Sequence, residues 1–470
     1  MIGRTAEVEE LNRLFDSNES EFVAIYGRRR VGKTYLVRET FGDRFAFQHT
    51  GLLNANLQRQ LSHFFKSLQT YGCTGKKCPK DWFEAFDLLR TVIAAGKEAR
   101  KIVFIDELPW MDTPRSEFLT ALGSFWNEWA SARKDVLFIV CGSASSWIVK
   151  RIFRNRGGLH NRVTSRILLH PFTLGECERY AAERGLALTR KDIAECYMAI
   201  GGIPYYWRSL AKGLSLAQNF DRLFFAANAP LKGEFVELYS SLFKNAAHYI
   251  KIVGALAERK TGASRADISA ATGLEQSGQL TDALESLEES GFIRRYRTFG
   301  NKRRNSLYQL IDNFTLFHFK FLNGETTDSN FWTSTVTSQQ QATWRGLAFE
   351  RLCLQHLDQM RNALRIGGVH TEAYAWRHAG DEVYPVGAQI DLLLDRADNV
   401  INVCEMKYAQ DQYSIDAKTA ASLSQKLETF RCVSKTRKAL HLTLVTSSGL
   451  VHNAYWNSVQ AEVTLDDLFA

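Results

Sequence analysis

GRRRVGKT, Gly27 to Thr34, lies between the apolar run FVAIY (Phe22 to Tyr26) and the helical pattern TYLVRETF (Thr34 to Phe41). This is G-x-x-x-x-G-K-[ST] in the strand–turn–helix setting in which that pattern cradles phosphates. Gly27 and Gly32 let the backbone turn, so that the N–H groups of Arg28, Arg29, Arg30, Val31 and Gly32 can point inward at phosphate oxygens. Lys33 is expected to reach the β- and γ-phosphates, and the Thr34 hydroxyl to bind Mg²⁺. Tyr35 follows at the start of a helix whose N-terminus adds its positive dipole end. The bland alternative, a Gly-bearing turn, is disfavoured by the flanking pattern.

Working outward, KIVFIDE supplies a second element. Ile102 to Ile105 read as a buried strand that delivers Asp106 beside the nucleotide as a ligand of Mg²⁺, direct or through water, and Glu107 as the group that polarises the attacking water. Ser143, at the end of VLFIVCG, is a candidate γ-phosphate sensor, with a simple turn serine as the competing reading. FVAIY, FAFQHT, KIVFI, VLFIVCG and SRILLHPF alternate with helical patterns, as buried parallel strands of an α/β sheet do.

The chain has 470 residues with a net charge of +8, 45% hydrophobic residues and only 7 prolines. That excludes a disordered or collagen-like chain, and at about 150 residues per domain it predicts three units. Neither a secretory signal nor a membrane-length apolar run is visible, and the eight cysteines lack the spacing of a secreted scaffold. A cytoplasmic protein with reduced thiols and no membrane partner is expected.

The predicted order is an ATPase-like domain with a helical lid over 1–243, a middle domain over 244–323, a linker over 324–341 and a C-terminal α/β domain over 342–470. A Thr173–Glu176 capping box opens a helical region that GGIP, Gly201 to Pro204, interrupts. Helices at Ala246–Arg259, Ser264–Ala271 and Gln279–Ser290, then a strand pair about Gly300-Asn301, follow the winged-helix plan. Gly324 to Gln341, rich in Thr, Ser and Gln, reads as the linker. An amphipathic helix near Thr343 to Leu364 leads into alternating strands.

The chain resembles the archaeal-type P-loop ATPases of the AAA+-related STAND group. IGRTAEVEEL carries their GR-x-x-E signature through Gly3, Arg4 and Glu7, with Thr5-Ala6 where a charged residue is commoner; the resemblance implies that this segment lies against adenine. LHNRVTSRILLHPF resembles the segment that brings Arg162 and Arg166 forward, and either is a candidate arginine finger, in cis or from a neighbouring subunit. GGIPYYW resembles the lid motif whose proline, here Pro204, packs near the base. ATP and Mg²⁺ are the implied cofactors.

Two stretches are basic and free of acids: Trp147 to Gly175, and Ile293 to Leu307 with Arg294, Arg295, Arg297, Lys302, Arg303 and Arg304. Each can contact phosphate backbones, the second as the wing. The third helix of the middle domain instead carries Asp282, Glu285, Glu288 and Glu289, so base reading through it is disfavoured. Sequence-tolerant contact with DNA through the wing and a protein-facing role both stay open.

GAQIDLLLDR and INVCEMKYA read as strands around Ala397-Asp398-Asn399. A turn centred on Asp398 sets Asp391 opposite Glu405, with Lys407 on the same face. Facing carboxylates need a cation between them, and an adjacent lysine suggests metal-assisted phosphodiester hydrolysis. This D…E-x-K arrangement resembles the PD-(D/E)xK nuclease superfamily. The resemblance implies that Asp391 and Glu405 hold Mg²⁺, that Lys407 positions the water, and that Glu350 in RGLAFERL is the helix-borne acid; Pro385 stands six residues before Asp391 rather than beside it. The combined expectation is an ATPase whose cycle controls a nuclease-like, nucleic-acid-interacting domain. Competing readings are a signalling switch with an inactive C-terminal domain, and ATP-driven self-assembly on DNA.

Overall fold

Five short apolar runs become the strands of one parallel sheet in the computed structural model, which describes residues 1–154, 157–300, 306–324 and 328–470. They are β1 (Glu21–Tyr26), β2 (Phe45–Thr50), β3 (Lys101–Asp106), β4 (Val136–Gly142) and β5 (Ser165–Leu168), in the order β2-β3-β4-β1-β5. The central runs are apolar because both faces of the sheet are covered there: every residue of β3 and β4 is buried. One side is an aromatic core in which Phe22 meets Phe138 at 5.0 Å and Trp82 meets Phe118 at 4.9 Å between centroids. Because all five strands run one way, their carboxyl ends gather the loops after β1, β3 and β4 along one edge, where ligands of open α/β sheets bind.

The chain forms two compact units, Met1–Pro171 with Leu238–Ala246, and Phe172–Glu237 with Ala247–Ala470. In the second, the capping box at Thr173 opens Leu174–Glu183. Gly202 then lies against Phe172, where a Cβ would stand 1.9 Å from the Phe172 carbonyl oxygen. Three helices, Ala246–Ala257, Arg265–Thr272 and Gly278–Glu289, precede an antiparallel hairpin of β6 (Ile293–Tyr296) and β7 (Leu307–Leu310). The acidic helix buries Leu280, Leu284 and Leu287, as its spacing predicts. Lys302, Arg303 and Arg304 of the basic hairpin, and Arg156 of the first basic stretch, lie outside the described residues.

The last strands are β8 (Thr371–His378), β9 (Ala388–Arg396), β10 (Val400–Lys407), β11 (Ala439–Thr446) and β12 (Ala461–Thr464). They form a mixed sheet, β12-β11-β10-β9-β8, antiparallel from β8 to β10 and parallel from β10 to β12. Beyond the hairpin Phe299 donates its N–H to the Ala375 carbonyl of β8 at 2.9 Å and packs on Phe430, so the small helical region is tied to this sheet within the second unit.

Two expectations change. The segment expected to be a linker is packed: Trp332, in the helix Phe331–Ser334, is buried, and the Asp221 carboxylate accepts from the Trp332 N–H at 2.7 Å. Its polar composition hid one large aromatic anchor. The expected helix over Thr343 to Leu364 is broken into Gln339–Gln355 and Leu357–Ala363 at His356. The buried His356 ring bonds the Leu352 carbonyl through Nδ1 at 2.8 Å and accepts the Leu174 N–H at Nε2 at 3.2 Å. Burial lowers its pKa to about 4, which keeps the accepting nitrogen unprotonated. Among the described residues no helix is long and apolar enough to cross a membrane, and all eight cysteines are free.

Candidate functional site

The loop Gly27–Gly32 joins β1 to the helix Lys33–Phe41, and its turn depends on left-handed backbone at Gly27 (φ 140°), Arg30 (φ 70°) and Gly32 (φ 96°). Gly27 has a second constraint, because a Cβ there would stand 2.4 Å from the Leu169 carbonyl oxygen. Lys33 is buried, and its Nζ donates to the carbonyls of Gly27 and Arg28, each at 3.0 Å. Burial pulls the Lys33 pKa down, against the charges of Glu107 and Asp106. Arg28 is buried, Arg29 and Arg30 are half-buried, and Nη1 of Arg29 is enclosed without a hydrogen-bond partner among the described residues. Tyr35 is exposed.

Asp106 ends β3, Glu107 follows it, and Ser143 follows β4, the strand between β3 and β1. Thr34 Oγ1 donates to Asp106 Oδ2 at 2.6 Å. Glu107 adopts left-handed backbone (φ 49°), and its Oε2 accepts from both the N–H (3.1 Å) and the Oγ (2.8 Å) of Ser143. Burial pushes the Glu107 carboxyl above its ordinary value, while Lys33 opposes that shift. Ser143 thus holds Glu107 in place, a partnership that residues 36 apart in sequence do not advertise. Charge, hydroxyl and carboxylate converge here around a loop rich in backbone N–H groups, an arrangement that can hold a polyphosphate and a hard cation.

Arg4, buried at the N-cap of the helix Thr5–Phe15 and left-handed like Gly3, donates from Nη2 to the Val31 carbonyl at 3.3 Å and faces Glu7 at 3.8 Å. The N-terminal signature therefore braces the loop. Arg162 is exposed just before β5, and Arg166 lies over the Phe153 ring at 4.4 Å. Pro204 belongs to the second unit, where it opens the helix Pro204–Trp207.

Within the second unit the C-terminal constellation is held by two sets of ion pairs, and the Glu350 charge of one acts on Lys407 of the other. The β9–β10 register pairs Cys404 with Leu392, so the strands are aligned as a turn at Asp398 requires. Against β8, Asp391 and Leu392 together face Ala375 in a bulge between the pairs Tyr374–Leu393 and Trp376–Ile390. Glu350, on the helix Gln339–Gln355, meets Lys260 Nζ at 2.9 Å, and the same Nζ is 3.6 Å from Asp391. Gln389 Nε2 donates to Asp391 at 2.6 Å. Glu405 instead pairs with Lys407 at 2.9 Å and Lys426 at 2.5 Å.

Burial, then the Asp391 charge, hold the Glu350 carboxyl above its ordinary value despite Lys260. Burial would also raise Glu405, but Lys426 and Lys407 outweigh it and hold that carboxyl low. Lysines supply the positive charge beside these carboxylates, and among the described residues no three His, Cys, Asp or Glu side chains gather into a group that could hold a metal ion. Lys260 and Lys426 could not be found from the sequence, since nothing local marks a lysine that comes from another element.

Residues 1–210 match the model of an ATPase domain predominantly from Archaea. An uncharacterized protein of Methanocaldococcus jannaschii is 24% identical over 386 residues, 81% of this chain and 83% of its own. Among solved structures, a Walker-type ATPase of Pyrococcus abyssi is similar at 17% identity with a TM-score of 0.47, over 68% of this chain and 96% of its own. A STAND protein of Pyrococcus horikoshii with a tetratricopeptide-repeat sensor is similar at 16% identity with a TM-score of 0.32, over 78% of this chain and 48% of its own.

Proposed function

We propose that the chain binds and hydrolyses ATP with Mg²⁺ at the Gly27–Thr34 loop, and that the nucleotide state controls the second unit. The observation that carries this reading is the Thr34–Asp106 hydrogen bond of 2.6 Å beside the buried Lys33. It joins two hard oxygen donors, one from the first turn of the helix Lys33–Phe41 and one from the end of β3, next to a buried cation. Thr34 and Asp106 would hold Mg²⁺, which when bound supplies neutralisation of the phosphate oxygens. Lys33 leaves the Gly27 and Arg28 carbonyls for the β- and γ-phosphates, and the enclosed Arg29 Nη1 has an acceptor to gain. Glu107, held by Ser143, accepts hydrogen bonds from the attacking water and orients it.

For the second unit we retain a nuclease-like, nucleic-acid-interacting role with Glu350, Asp391, Glu405 and Lys407 as its residues. Its support is the placement of a helix-borne acid, an Asp and an E-x-K pair on adjoining elements. A switch with an inactive C-terminal domain has its own support, the lysines already beside those carboxylates.

One assay on the full chain addresses both sites. ATP turnover should disappear in Lys33→Ala; turnover equal to wild type would remove the ATPase assignment. Mg²⁺-dependent cutting of mixed DNA and RNA should disappear in Asp391→Ala and Lys407→Ala. Wild type and variants that behave alike would leave the switch reading.

A further inference from the structure

Within the second unit a cavity of about 390 Å³ opens between the β6–β7 hairpin and the strands β8 and β9. Its volume is within the range of about 300–1,000 Å³ usual for small-ligand sites. Four arginines from four places line it: Arg259 after the first helix of the small region, Arg294 on β6, Arg351 on the helix Gln339–Gln355, and Arg377 on β8. Among the described residues only two carboxylates line it, Asp267, which pairs with Arg259 at 3.9 Å, and Asp391, engaged by Gln389 and Lys260.

Arg294 and Arg351 are the unusual pair. Arg351 is buried and Arg294 half-buried, yet among the described residues neither has a carboxylate within ion-pair distance. Arg294 Nε donates to Gln309 at 2.8 Å, and Arg351 Nη2 donates to the Lys260 carbonyl. A guanidinium has five N–H donors, so most of their capacity remains for whatever enters. Burial and the neighbouring Arg351 charge depress Arg294 to about 10. Enclosing two cations side by side costs free energy unless an anion completes the group. Planar, forked donors of this kind fit phosphate oxygens. Tyr296, with the Arg294 guanidinium 4.8 Å from its ring, and Trp376 add aromatic surface to the lining.

We infer that this cavity binds a nucleoside phosphate, free or as part of a strand, with Arg294 and Arg351 on the phosphate and Arg377 at the rim. Its lining residues belong to the second unit, whereas the Gly27–Thr34 loop belongs to the first. It deepens the nucleic-acid reading given above but does not depend on cleavage at Asp391.

The test is equilibrium binding to the full chain carrying Lys33→Ala, which silences the loop site. The probes are AMP, adenosine and a 5′-phosphorylated tetranucleotide. AMP or the tetranucleotide should bind, adenosine should not, and Arg294→Gln should weaken binding roughly 10- to 100-fold, the loss of a charged hydrogen-bonding partner. Arg377→Gln, at an exposed position, should weaken it in the same direction and guards against a misfolded Arg294 variant, with melting curves checking both.

AMP binding as tightly as the tetranucleotide assigns a free nucleotide, and a tighter tetranucleotide assigns a strand. The proposal is overturned if adenosine binds as well as AMP, if neither arginine variant changes affinity, if no phosphorylated probe binds, or if wild type binds and Lys33→Ala alone abolishes it. Tetranucleotide binding that survives both arginine substitutions overturns this site while leaving a nucleic-acid role elsewhere. AMP binding without any tetranucleotide binding keeps the site and removes the nucleic-acid reading.

Discussion

Glu107 shows how a single residue's role depends on partners that the sequence separates. Its backbone is left-handed, a conformation costly for a residue with a Cβ, and its carboxylate accepts two hydrogen bonds from Ser143. That fixes one rotamer at the strand edge, next to the buried Lys33. If Glu107 orients the attacking water, Glu107→Gln should lower ATP turnover about 100-fold or more while ATP still binds. Single-turnover hydrolysis and equilibrium nucleotide binding on the same preparation separate the two effects. Because burial raises the carboxyl above its ordinary 4.5, and the active form is the carboxylate, wild-type turnover should rise with pH along a limb displaced upward from 4.5. A variant that keeps wild-type turnover would remove Glu107 from the chemistry. The motif residues Lys33, Thr34 and Asp106 were legible because their spacing and flanking strands are local. The Ser143 partnership was not, because it is created by β4 lying between β3 and β1.

Among elements, strands were the more readable and interruptions the less. Buried parallel strands show as continuous apolar runs, and all five of the first sheet begin within a residue of where the sequence places them. The break at His356 has no Gly or Pro to mark it; it rests on a ring that bonds the Leu352 carbonyl one turn earlier and the Leu174 N–H of a distant helix. The contact between Lys260 and the C-terminal carboxylates is likewise an encounter of two elements. Lys260 is partly exposed, so its removal should cost only about 1 kcal/mol, well below a fully buried pair. Lys260→Met leaves Glu350 and Asp391 facing each other, which raises the Glu350 carboxyl further above its ordinary value. The sign follows: the loss should be fully present above that pKa and fade as pH falls and the carboxyl protonates. Urea unfolding at pH 7 and pH 5 measures it. If these carboxylates accept Mg²⁺ once the lysine is gone, millimolar Mg²⁺ should restore the variant's stability and leave wild type unchanged. An equal deficit at both pH values would show that the ion pair is not its source.

At the scale of the whole chain, the backbone passes between the two compact units at three points, and the first lies close in sequence to the phosphate loop's support. Leu169 donates its N–H to the Tyr26 carbonyl at 2.8 Å, and its own carbonyl closes against Gly27. Three residues later Phe172 donates to the Gly202 carbonyl at 2.7 Å, and Gly202 has no room for a Cβ. Only His170 and Pro171 separate these two tight backbone contacts, and proline restricts its own φ and the residue before it. A nucleotide that reorders the Gly27 turn therefore has a short, stiff covalent route to the start of the second unit. Hydrogen exchange of the full chain with and without Mg²⁺-ATP should show added protection in the Gly27–Thr34 loop and also over Phe172–Trp207. Gly202→Ala, which forces the Phe172 contact apart, should keep the loop's protection and lose that of Phe172–Trp207. Protection confined to the first unit in wild type would mean that nucleotide binding does not reach the second, and that the chain is an ATPase without a switch.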